Sequence, residues 1–469
     1  MARAKTSQLR LQSGERRLIL IVGDLLAASI ATFGAIALWS QVDWLGFSMD
    51  FVRARAAWFI LLPAIWLVLM VNLYDVRRAS SMRETFRAVI LAATIGGFLY
   101  LAVYFTSEPG SLPRLGMLYF LILAVLLTLI WRFIYIQVFT GRAFMRRVLL
   151  IGAGESGRTF LEELVRIEPR PFLIVGLIDD DESKHGSSVS GYDVIGGNST
   201  LPDLIEQEDV SDIIVAITGT MKGDMFRALL DAQEQGVEIT RMPAAYEEVL
   251  GRVPINYLES DWLLRSFVDE VRVSGLYLLT KRVVDIVGAL VGTSVLVLLA
   301  PWVALAIVLE TGRPVMYSQT RLGQGALQYR VLKFRTMVAN AEPEGKAEMA
   351  VRDDPRATRI GRLLRRTYID ELPQFWNVLR GEMSLVGPRP ERPELVEDYE
   401  SYVPFYRARI LAKPGITGWA QVNYGKGASV QGAAEKLEYD LYYIKHRGAW
   451  MDLWIILRTI GNVFGLRGI

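Results

Sequence analysis

Two adjacent carboxylates, Asp370 and Glu371, lie near the C-terminal end of this chain, where arginines surround them. Arg365 and Arg366 precede the acids, and Arg389 follows them in a Gly-Pro-Arg-Pro turn. Adjacent acids repel each other, and a nearby guanidinium group or a divalent cation relieves that repulsion. A solvated acidic helix start is the structural alternative, but the arginines and the second rigid turn favour a functional site.

The composition limits the chemistry in which these acids can take part. The 469-residue chain has no cysteine and 2 histidines. This composition excludes disulfides, cysteine nucleophiles and thiolate zinc sites, and it argues against histidine-rich metal sites. Carboxylates must therefore do any acid–base or metal-binding work, and Mg²⁺ is a cation that prefers such oxygen ligands. The formal net charge of +2 is too balanced to indicate a nucleic-acid partner.

Four further motifs accompany the acid pair. They are Lys-Phe-Arg-Thr-Met at 333–337, Asp-Pro-Arg-Ala-Thr-Arg-Ile-Gly at 354–361, Lys-Pro-Gly-Ile-Thr-Gly-Trp-Ala-Gln-Val at 413–422 and Tyr-Asp-Leu-Tyr-Tyr at 439–443. With the acid pair and its following turn, these motifs resemble the core of the monotopic phosphoglycosyl transferases. The whole chain is similar to the large members of that family, the polyprenyl-phosphate hexose-phosphate transferases of bacterial exopolysaccharide synthesis.

The resemblance implies a reaction and roles for particular residues. Members of the family move a hexose phosphate from a UDP-sugar to undecaprenyl phosphate and release UMP, as the first membrane step of exopolysaccharide or O-antigen repeat-unit synthesis. Asp370 matches the nucleophile, which forms an aspartyl-phosphosugar intermediate. Glu371 matches its partner acid, which helps to hold Mg²⁺ or manages a proton. The candidate phosphate ligands are Arg365 and Arg389, which match family contacts, together with Lys333 and Arg335. No residue pattern specifies the transferred sugar.

Apolar segments in the first third of the chain predict a membrane protein. Hydrophobic residues make up 52% of the chain and the mean hydropathy is +0.27, yet 22% of residues are charged. Four apolar runs, each long enough to cross a bilayer as a helix, occur at about 18–39, 56–74, 88–105 and 115–139. They predict a four-helix transmembrane bundle over 1–145. Basic residues in alternate loops place residue 146 onward in the cytosol, and the resemblance implies that the membrane is the inner membrane of a bacterium.

A Rossmann-like α/β domain is predicted over 146–250. Gly152, Gly154, Gly157 and Asp179 fit a dinucleotide fingerprint, in which glycines accommodate a pyrophosphate and an acid binds a ribose. The glycines serve tight helix–strand packing in the alternative that we favour, because the motif alone is weak. Since this domain is the largest soluble piece outside the acid-pair region, we expect a homodimer through it.

A second membrane segment is predicted over 281–310, after a linker at 251–280. Residues 286–309 carry no charge and are long enough to span a bilayer. A fifth crossing would put Asp370 outside the cytosol, where nucleotide sugars are absent. We therefore predict a re-entrant helix broken at Pro301, with Lys281 and Arg282 at the lipid headgroups. The resemblance implies the same geometry, and a mainly α catalytic domain at 311–469 follows.

Two rival functions stay open at this stage. Membrane-bound nucleotide-sugar dehydratases or epimerases need a Tyr-x-x-x-Lys pair, and Tyr277 and Lys281 supply that spacing next to the apolar run. A non-enzymatic membrane scaffold or sensor would use the middle domain as its ligand site. Bound NAD would favour the first rival, and release of UMP would favour sugar-phosphate transfer.

Overall fold

The computed structural model describes residues 11, 13–42, 48–53, 55–74, 76–106, 114–139, 145–168, 170–219, 221–257, 274–338, 341, 354–424 and 430–464. The chain divides into two compact units, Met1–Val249 and Leu250–Ile469. Most of the predicted linker, residues 258–273, lies outside the described residues.

Long apolar helices form the first part of the first unit. Three long helices occur together with shorter helices in this part of the chain. The helices are α1 (Ser13–Val42), α2 (Met49–Arg53), α3 (Trp58–Leu69), α4 (Val76–Ala79), α5 (Met82–Thr106) and α6 (Arg114–Phe139). Helices α1, α5 and α6 are long and apolar enough to cross a membrane. Helix α6 packs against both α1 and α5. Three of the four predicted apolar runs are therefore membrane-length helices.

The second predicted run is shorter than expected. Helix α3 has 12 residues, and a 3₁₀ turn at Val71–Tyr74 follows it, so the prediction of one membrane-length helix over 56–74 is wrong. The carbonyl of Tyr74 accepts a hydrogen bond from the Arg17 side chain at 3.2 Å. Side-chain donors thus replace the next helical turn as partners for the backbone at this end.

A buried ion pair joins the apolar helices. Arg132 of α6 and Asp24 of α1 lie 2.6 Å apart, and both side chains are fully buried. Arg132 also donates to the carbonyl of Leu73 at 3.1 Å. Each charge is therefore matched inside the unit, as buried charges in an apolar environment require.

The rest of the first unit is an α/β domain. Its strands are β1 (Arg146–Ile151), β2 (Phe172–Ile178), β3 (Ser188–Val189), β4 (Tyr192–Gly196), β5 (Asp212–Val215) and β6 (Glu238–Arg241). Its helices are α7 (Glu155–Val165), α8 (Leu201–Gln207), α9 (Gly223–Glu234) and α10 (Met242–Leu250), which crosses into the second unit. Among the described residues the sheet order is β3-β4-β2-β1-β5-β6, parallel except between β3 and β4.

The sheet confirms the predicted Rossmann-like fold. In register, Leu149 of β1 lies opposite Ile213 of β5, and both side chains are fully buried. Strands covered on both faces read as continuous apolar runs, which is how β1 and β5 were recognisable in the sequence. The short β3–β4 hairpin was not predicted, because a two-residue strand carries no periodicity.

The second unit is mainly helical. Its helices are α11 (Gly275–Thr311), α12 (Arg359–Arg366), α13 (Gln374–Arg380), α14 (Pro393–Glu400), α15 (Trp419–Asn423), α16 (Val430–His446) and α17 (Ala449–Phe464). Its strands are β7 (Met316–Leu322), β8 (Gln328–Phe334), β9 (Ser384–Val386) and β10 (Gly415–Thr417). Strands β7 and β8 form an antiparallel hairpin, and β9 pairs with β10 in parallel.

Helix α11 is a single helix of 37 residues that continues through Pro301. The predicted end of a first helix at this proline is therefore wrong, because a proline inside a membrane-length helix can be accommodated as a local kink without ending the helix. Both halves of α11 contact the same unit. Asp285 in the first half accepts from the Ser384 hydroxyl at 2.8 Å, and Ile307 in the second half lies in one apolar cluster with Leu364.

Lys281 and Arg282, predicted to lie at the lipid headgroups, have partners within the protein. Arg282 donates to two carbonyls at the end of α13, those of Val378 and Leu379, at 2.9 Å each. Lys281 forms an ion pair with the largely buried carboxylate of Asp452 at 2.8 Å. Both cations satisfy groups of the protein interior, since the carbonyl end of a helix and a buried acid each attract a positive charge.

Candidate functional site

The acid pair lies in a tight turn between α12 and α13. Asp370 and Glu371 end a 3₁₀ turn that begins at Ile369, and each is 8% exposed. Tyr368, just before this turn, has a φ of +58°, in the left-handed region. This conformation ends the path of α12 and turns the chain so that both acids point into the unit. The sequence alternative of a solvated acidic helix start is therefore wrong.

Two cations hold Glu371. Its Oε1 accepts from Lys333 Nζ at 2.8 Å and from Arg389 Nη2 at 3.1 Å. Lys333 comes from β8, and Arg389 comes from the turn after β9, so three separate elements converge on one carboxylate oxygen. Charge-assisted hydrogen bonds of this kind offset the cost of burying the acid.

The charges of this cluster reinforce one another. The negative charge of Glu371 raises the pKa of Arg389, and the nearby charges of Glu391 and Asp370 add to that effect. Burial raises the pKa of the Tyr368 hydroxyl, and Glu371 and Asp370 raise it further. Arg389 is therefore a permanent cation within electrostatic reach of both acids.

Arg365 is fixed beside the end of β8. Its Nε donates to the Thr336 hydroxyl at 2.9 Å. Helix α12 approaches this segment closely, because a Cβ on Gly361 would lie 2.0 Å from the carbonyl oxygen of Thr336. Thr336 was not predicted as a site residue, although it stands in the same 333–337 motif as Lys333.

Arg335 has a different environment from the other candidate phosphate ligands. It is 7% exposed, and its Nη2 donates to the Thr311 hydroxyl at 2.7 Å and to the carbonyls of Thr311 and Gly312. These contacts place the guanidinium at the C-terminal end of α11, where a cation is favourable. The role of Arg335 as a phosphate ligand stays a prediction.

The glycines of the middle domain serve its backbone geometry. Gly152 has a φ of +107°, which glycine adopts readily. A Cβ on Gly157 would lie 2.1 Å from the Gly152 carbonyl oxygen, whereas a Cβ on Gly154 would have no neighbour within 4 Å. Close packing of the chain thus explains two of the three fingerprint glycines. This is the role that the favoured interpretation of the motif gives them.

Asp179 has partners inside the domain. Its Oδ2 accepts from the backbone N–H of Ala153 at 2.8 Å and from Lys184 Nζ at 2.9 Å. Its Oδ1 accepts from the backbone N–H of Asp181 at 2.9 Å. The carboxylate therefore braces the glycine turn against the end of β2, and the contacts of Asp179 do not require a ribose.

The acid pair is the candidate cation site. Within the described ranges, no group of three or more histidine or acidic side chains is arranged to hold a metal ion. Mg²⁺ in phosphate-transfer sites needs only one or two carboxylates, with substrate phosphates and water completing its shell. Asp370 and Glu371 fit that pattern by their chemistry.

Apolar helices of membrane length and a buried acid pair among cations define a membrane protein with a site suited to phosphate-group chemistry. Comparison with known proteins agrees with this class. The family described as bacterial sugar transferase matches residues 276–466, and one described as a CoA-binding domain matches residues 69–243. The chain belongs to the bacterial sugar transferase family.

Three relatives illustrate the similarity. The UDP-N-acetylgalactosamine-undecaprenyl-phosphate N-acetylgalactosaminephosphotransferase of Aeromonas hydrophila is 38% identical over 53% of this chain and 58% of its own. The undecaprenyl-phosphate glucose phosphotransferase of Komagataeibacter xylinus is 33% identical over 68% of this chain and 59% of its own. The UDP-galactose-lipid carrier transferase of Erwinia amylovora is 31% identical over 69% of this chain and 71% of its own.

The match with the first two relatives is partial, since this chain spans 58% and 59% of their lengths. Among solved structures, the UDP-D-quinovosamine 4-dehydrogenase of Vibrio fischeri matches 26% of this chain and 98% of its own, at 24% identity and a TM-score of 0.20. That likeness is too weak to support an argument about fold or function.

Proposed function

We propose that this chain transfers a hexose phosphate from a UDP-sugar to undecaprenyl phosphate and releases UMP. The observation that carries the proposal is the buried Asp370–Glu371 pair, in which Lys333 and Arg389 hold Glu371. The relatives named above support both substrate classes, because their names specify UDP-sugar donors or undecaprenyl-phosphate or lipid-carrier acceptors.

The proposed chemistry is a double displacement at phosphorus. A carboxylate oxygen of Asp370 attacks the β-phosphorus of the donor, and the bond from that phosphorus to the oxygen bridging the α-phosphate breaks, so that UMP leaves. A phosphate oxygen of the acceptor then attacks the same phosphorus, and the bond to Asp370 breaks. The sugar phosphate is transferred, and the carboxylate is restored.

The surrounding residues supply charge and orientation. Arg365 and Arg389 are placed to neutralise phosphate oxygens, for which a guanidinium offers paired donors. Lys333 keeps Glu371 in position beside the nucleophile. Asp370 and Glu371 would hold Mg²⁺, which would supply positive charge to neutralise the diphosphate.

UMP release by the purified full chain tests this function directly. With a UDP-hexose and undecaprenyl phosphate together, we expect repeated turnover, and with the donor alone about one UMP per active site, because the sugar phosphate stays on Asp370. A screen of UDP-glucose, UDP-galactose and UDP-N-acetylgalactosamine identifies the sugar. Sugar oxidation with bound NAD and no UMP would contradict the proposal, and intersecting initial-rate lines would contradict the covalent step.

The dehydratase or epimerase alternative is not favoured. The hydroxyl of Tyr277 donates to Asp452 at 3.0 Å, and Lys281 Nζ donates to Asp452 at 2.8 Å and to the Val386 carbonyl at 2.9 Å. The tyrosine and lysine of the required spacing are thus both engaged in binding α11 to α17 and β9. A substrate would have to displace these contacts before either group took part in hydride chemistry.

We further propose that α11 is re-entrant and that the second unit faces the cytosol of a bacterial inner membrane. A straight helix of this length would be about 55 Å long, and a full crossing would put its ends on opposite faces of a core about 30 Å thick. Yet Lys281 near one end binds Asp452, while Glu310 at the other accepts from the backbone N–H of Arg359 at 2.7 Å. The same unit therefore binds both ends of α11, and this observation supports a return of the helix to the same face of the membrane.

Cysteine labelling in this naturally cysteine-free chain tests the topology. Ser274→Cys and Arg313→Cys replace exposed side chains that flank α11. Both should react only from the cytosolic face of sealed vesicles. Arg114→Cys, at the start of α6, is the matched control, because the positive-inside pattern puts it on the other face. Reaction of position 313 from the outer face would show that α11 crosses the membrane.

The middle domain is proposed to be structural or regulatory, because Gly152, Gly157 and Asp179 are explained by internal contacts. A homodimer through this domain stays a prediction. The mass of the full chain in lipid particles decides it, and a monomer mass at all concentrations would contradict it.

A further inference from the structure

A buried ion pair lies beside the Pro388–Pro390 turn and takes no part in the proposed chemistry. Arg409 is 5% exposed and Asp440 is 1% exposed. Arg409 Nη2 donates to Asp440 Oδ2 at 2.8 Å. Arg409 belongs to the 3₁₀ segment Tyr406–Leu411, and Asp440 lies on the buried face of α16 between Leu437 and Leu441, which are both fully buried.

The same guanidinium reaches the backbone of the turn. Arg409 Nη2 also donates to the carbonyl of Arg389 at 3.1 Å, and the side chain of Arg389 in turn donates to Glu371. A continuous chain of contacts therefore runs from Asp440 through Arg409 and Arg389 to the acid pair. It links α16, which holds none of the predicted site residues, to Glu371, the neighbour of the candidate nucleophile.

The backbone carbonyls of the Pro388–Pro390 turn accept hydrogen bonds from donors elsewhere in the unit. Pro388 and Pro390 flank Arg389 and have no N–H to offer. Their carbonyls accept from the backbone N–H of Gly415 at 2.9 Å and from Arg321 Nη1 at 3.3 Å, respectively. Three consecutive carbonyls of the turn are thus held by three distant segments, and the middle hydrogen bond depends on Arg409.

Asp440 determines the orientation of Arg409. A buried guanidinium needs a counter-charge, and breaking such a pair leaves the remaining charge uncompensated. Glu391 is farther from Arg409, at 3.7 Å, so Asp440 is its closer acidic partner. Without the Asp440 carboxylate, the guanidinium is attracted towards Glu391 and away from the Arg389 carbonyl.

We propose that Arg409 and Asp440 are positioning residues for sugar-phosphate transfer, holding the Pro388–Pro390 turn so that the Arg389 side chain stays on Glu371. This inference rests on the proposed function. Neither residue touches substrate in the proposal, and both act through Arg389. Displacement of a catalytic group by about 1 Å costs up to about 100-fold in rate, which sets the scale of the effect.

A double-mutant cycle with Arg389 tests the proposal. In the full chain, Asp440→Asn should lower kcat for UMP release by about 10- to 100-fold with a smaller change in KM for the donor. In an Arg389→Ala background, the same substitution should cost less than about twofold, because the residue through which it acts is already gone. Arg409→Lys keeps the charge but loses the forked donors, and it should follow the same pattern.

The control cycle pairs Asp440→Asn with Arg365→Ala. The side chain of Arg365 is held by the Thr336 hydroxyl and has no place in the chain of contacts through Arg409, so these two losses should multiply. Equal losses from Asp440→Asn with and without Arg389, or full activity in both single variants, would overturn the proposal. If thermal unfolding shows that the Asp440→Asn variant is not folded, the Arg409→Lys variant provides the test. Absence of UMP release by the wild-type chain would instead refute the proposed function.

Discussion

Replacing Asp370 with asparagine should lower the rate of UMP release by at least about 100-fold, equivalent to about 2.7 kcal/mol in the activation barrier. The amide has nearly the volume of the carboxylate, so the turn at Ile369–Glu371 should keep its shape. It lacks the anionic oxygen needed to attack phosphorus. The burst of UMP with donor alone should disappear as well, and no phosphosugar should remain bound to the protein.

The matched control for this variant is Asp398→Asn, the same chemical change at an exposed position of α14. It should leave both the burst and the turnover unchanged. Thermal unfolding of the Asp370 variant verifies that the fold is retained. A folded Asp370→Asn protein that keeps more than about one hundredth of the wild-type kcat would show that Asp370 is not the nucleophile.

Gly387→Ala should destabilise the second unit more than any surface substitution. A Cβ at this position would lie 2.1 Å from the Lys413 carbonyl oxygen and 2.9 Å from the Gly415 backbone nitrogen. Both neighbours are backbone atoms, so β9 and β10 would have to separate. Overpacking of this kind costs about 3 kcal/mol, which corresponds to a fall in Tm of about 6–12 °C for a unit of this size.

Activity should fall together with stability, because Gly387 directly precedes the turn that carries Arg389. Gly448→Ala is the control, since a Cβ there would have no neighbour within 4 Å and its φ is not positive. Calorimetry of both variants in the same detergent gives the comparison. An unchanged Tm for Gly387→Ala would mean that the two strands have room that these distances exclude.

The acid pair and two of its cations were predictable because their sequence pattern is local or recurs in a known family. Lys333 and Arg389 are far from Glu371 in sequence, and the resemblance to a family supplied the expectation that they belong to one site. The parallel strands of the middle domain were predictable from continuous apolar runs. The acid-pair motifs and the buried strands could both be recognised because each is encoded within a short stretch of sequence.

The partners of Lys281 and Arg282 were not predictable. A cation beside an apolar run is compatible with a lipid headgroup or with a buried acid, and the acid that binds Lys281 lies 171 positions away, at Asp452. The helix-end contacts of Arg335 were not predictable for a similar reason, because the carbonyl end of a helix attracts a guanidinium much as a phosphate does. Asp440 carried a detectable signal: it lies three residues after Leu437 and four before Ile444, an acid at the spacing of an apolar helix face.

The contacts that bind both ends of α11 have a consequence for how the proposed lipid acceptor reaches the site. With Lys281 bound to Asp452 and Glu310 bound to the start of α12, the proposed re-entrant α11 would keep the acid pair at one height above the lipid. The proposed acceptor, anchored by its polyprenyl tail, would present its phosphate in that same plane. Its encounter with the protein would then be a search in two dimensions along the leaflet, while the proposed donor would arrive from the aqueous phase.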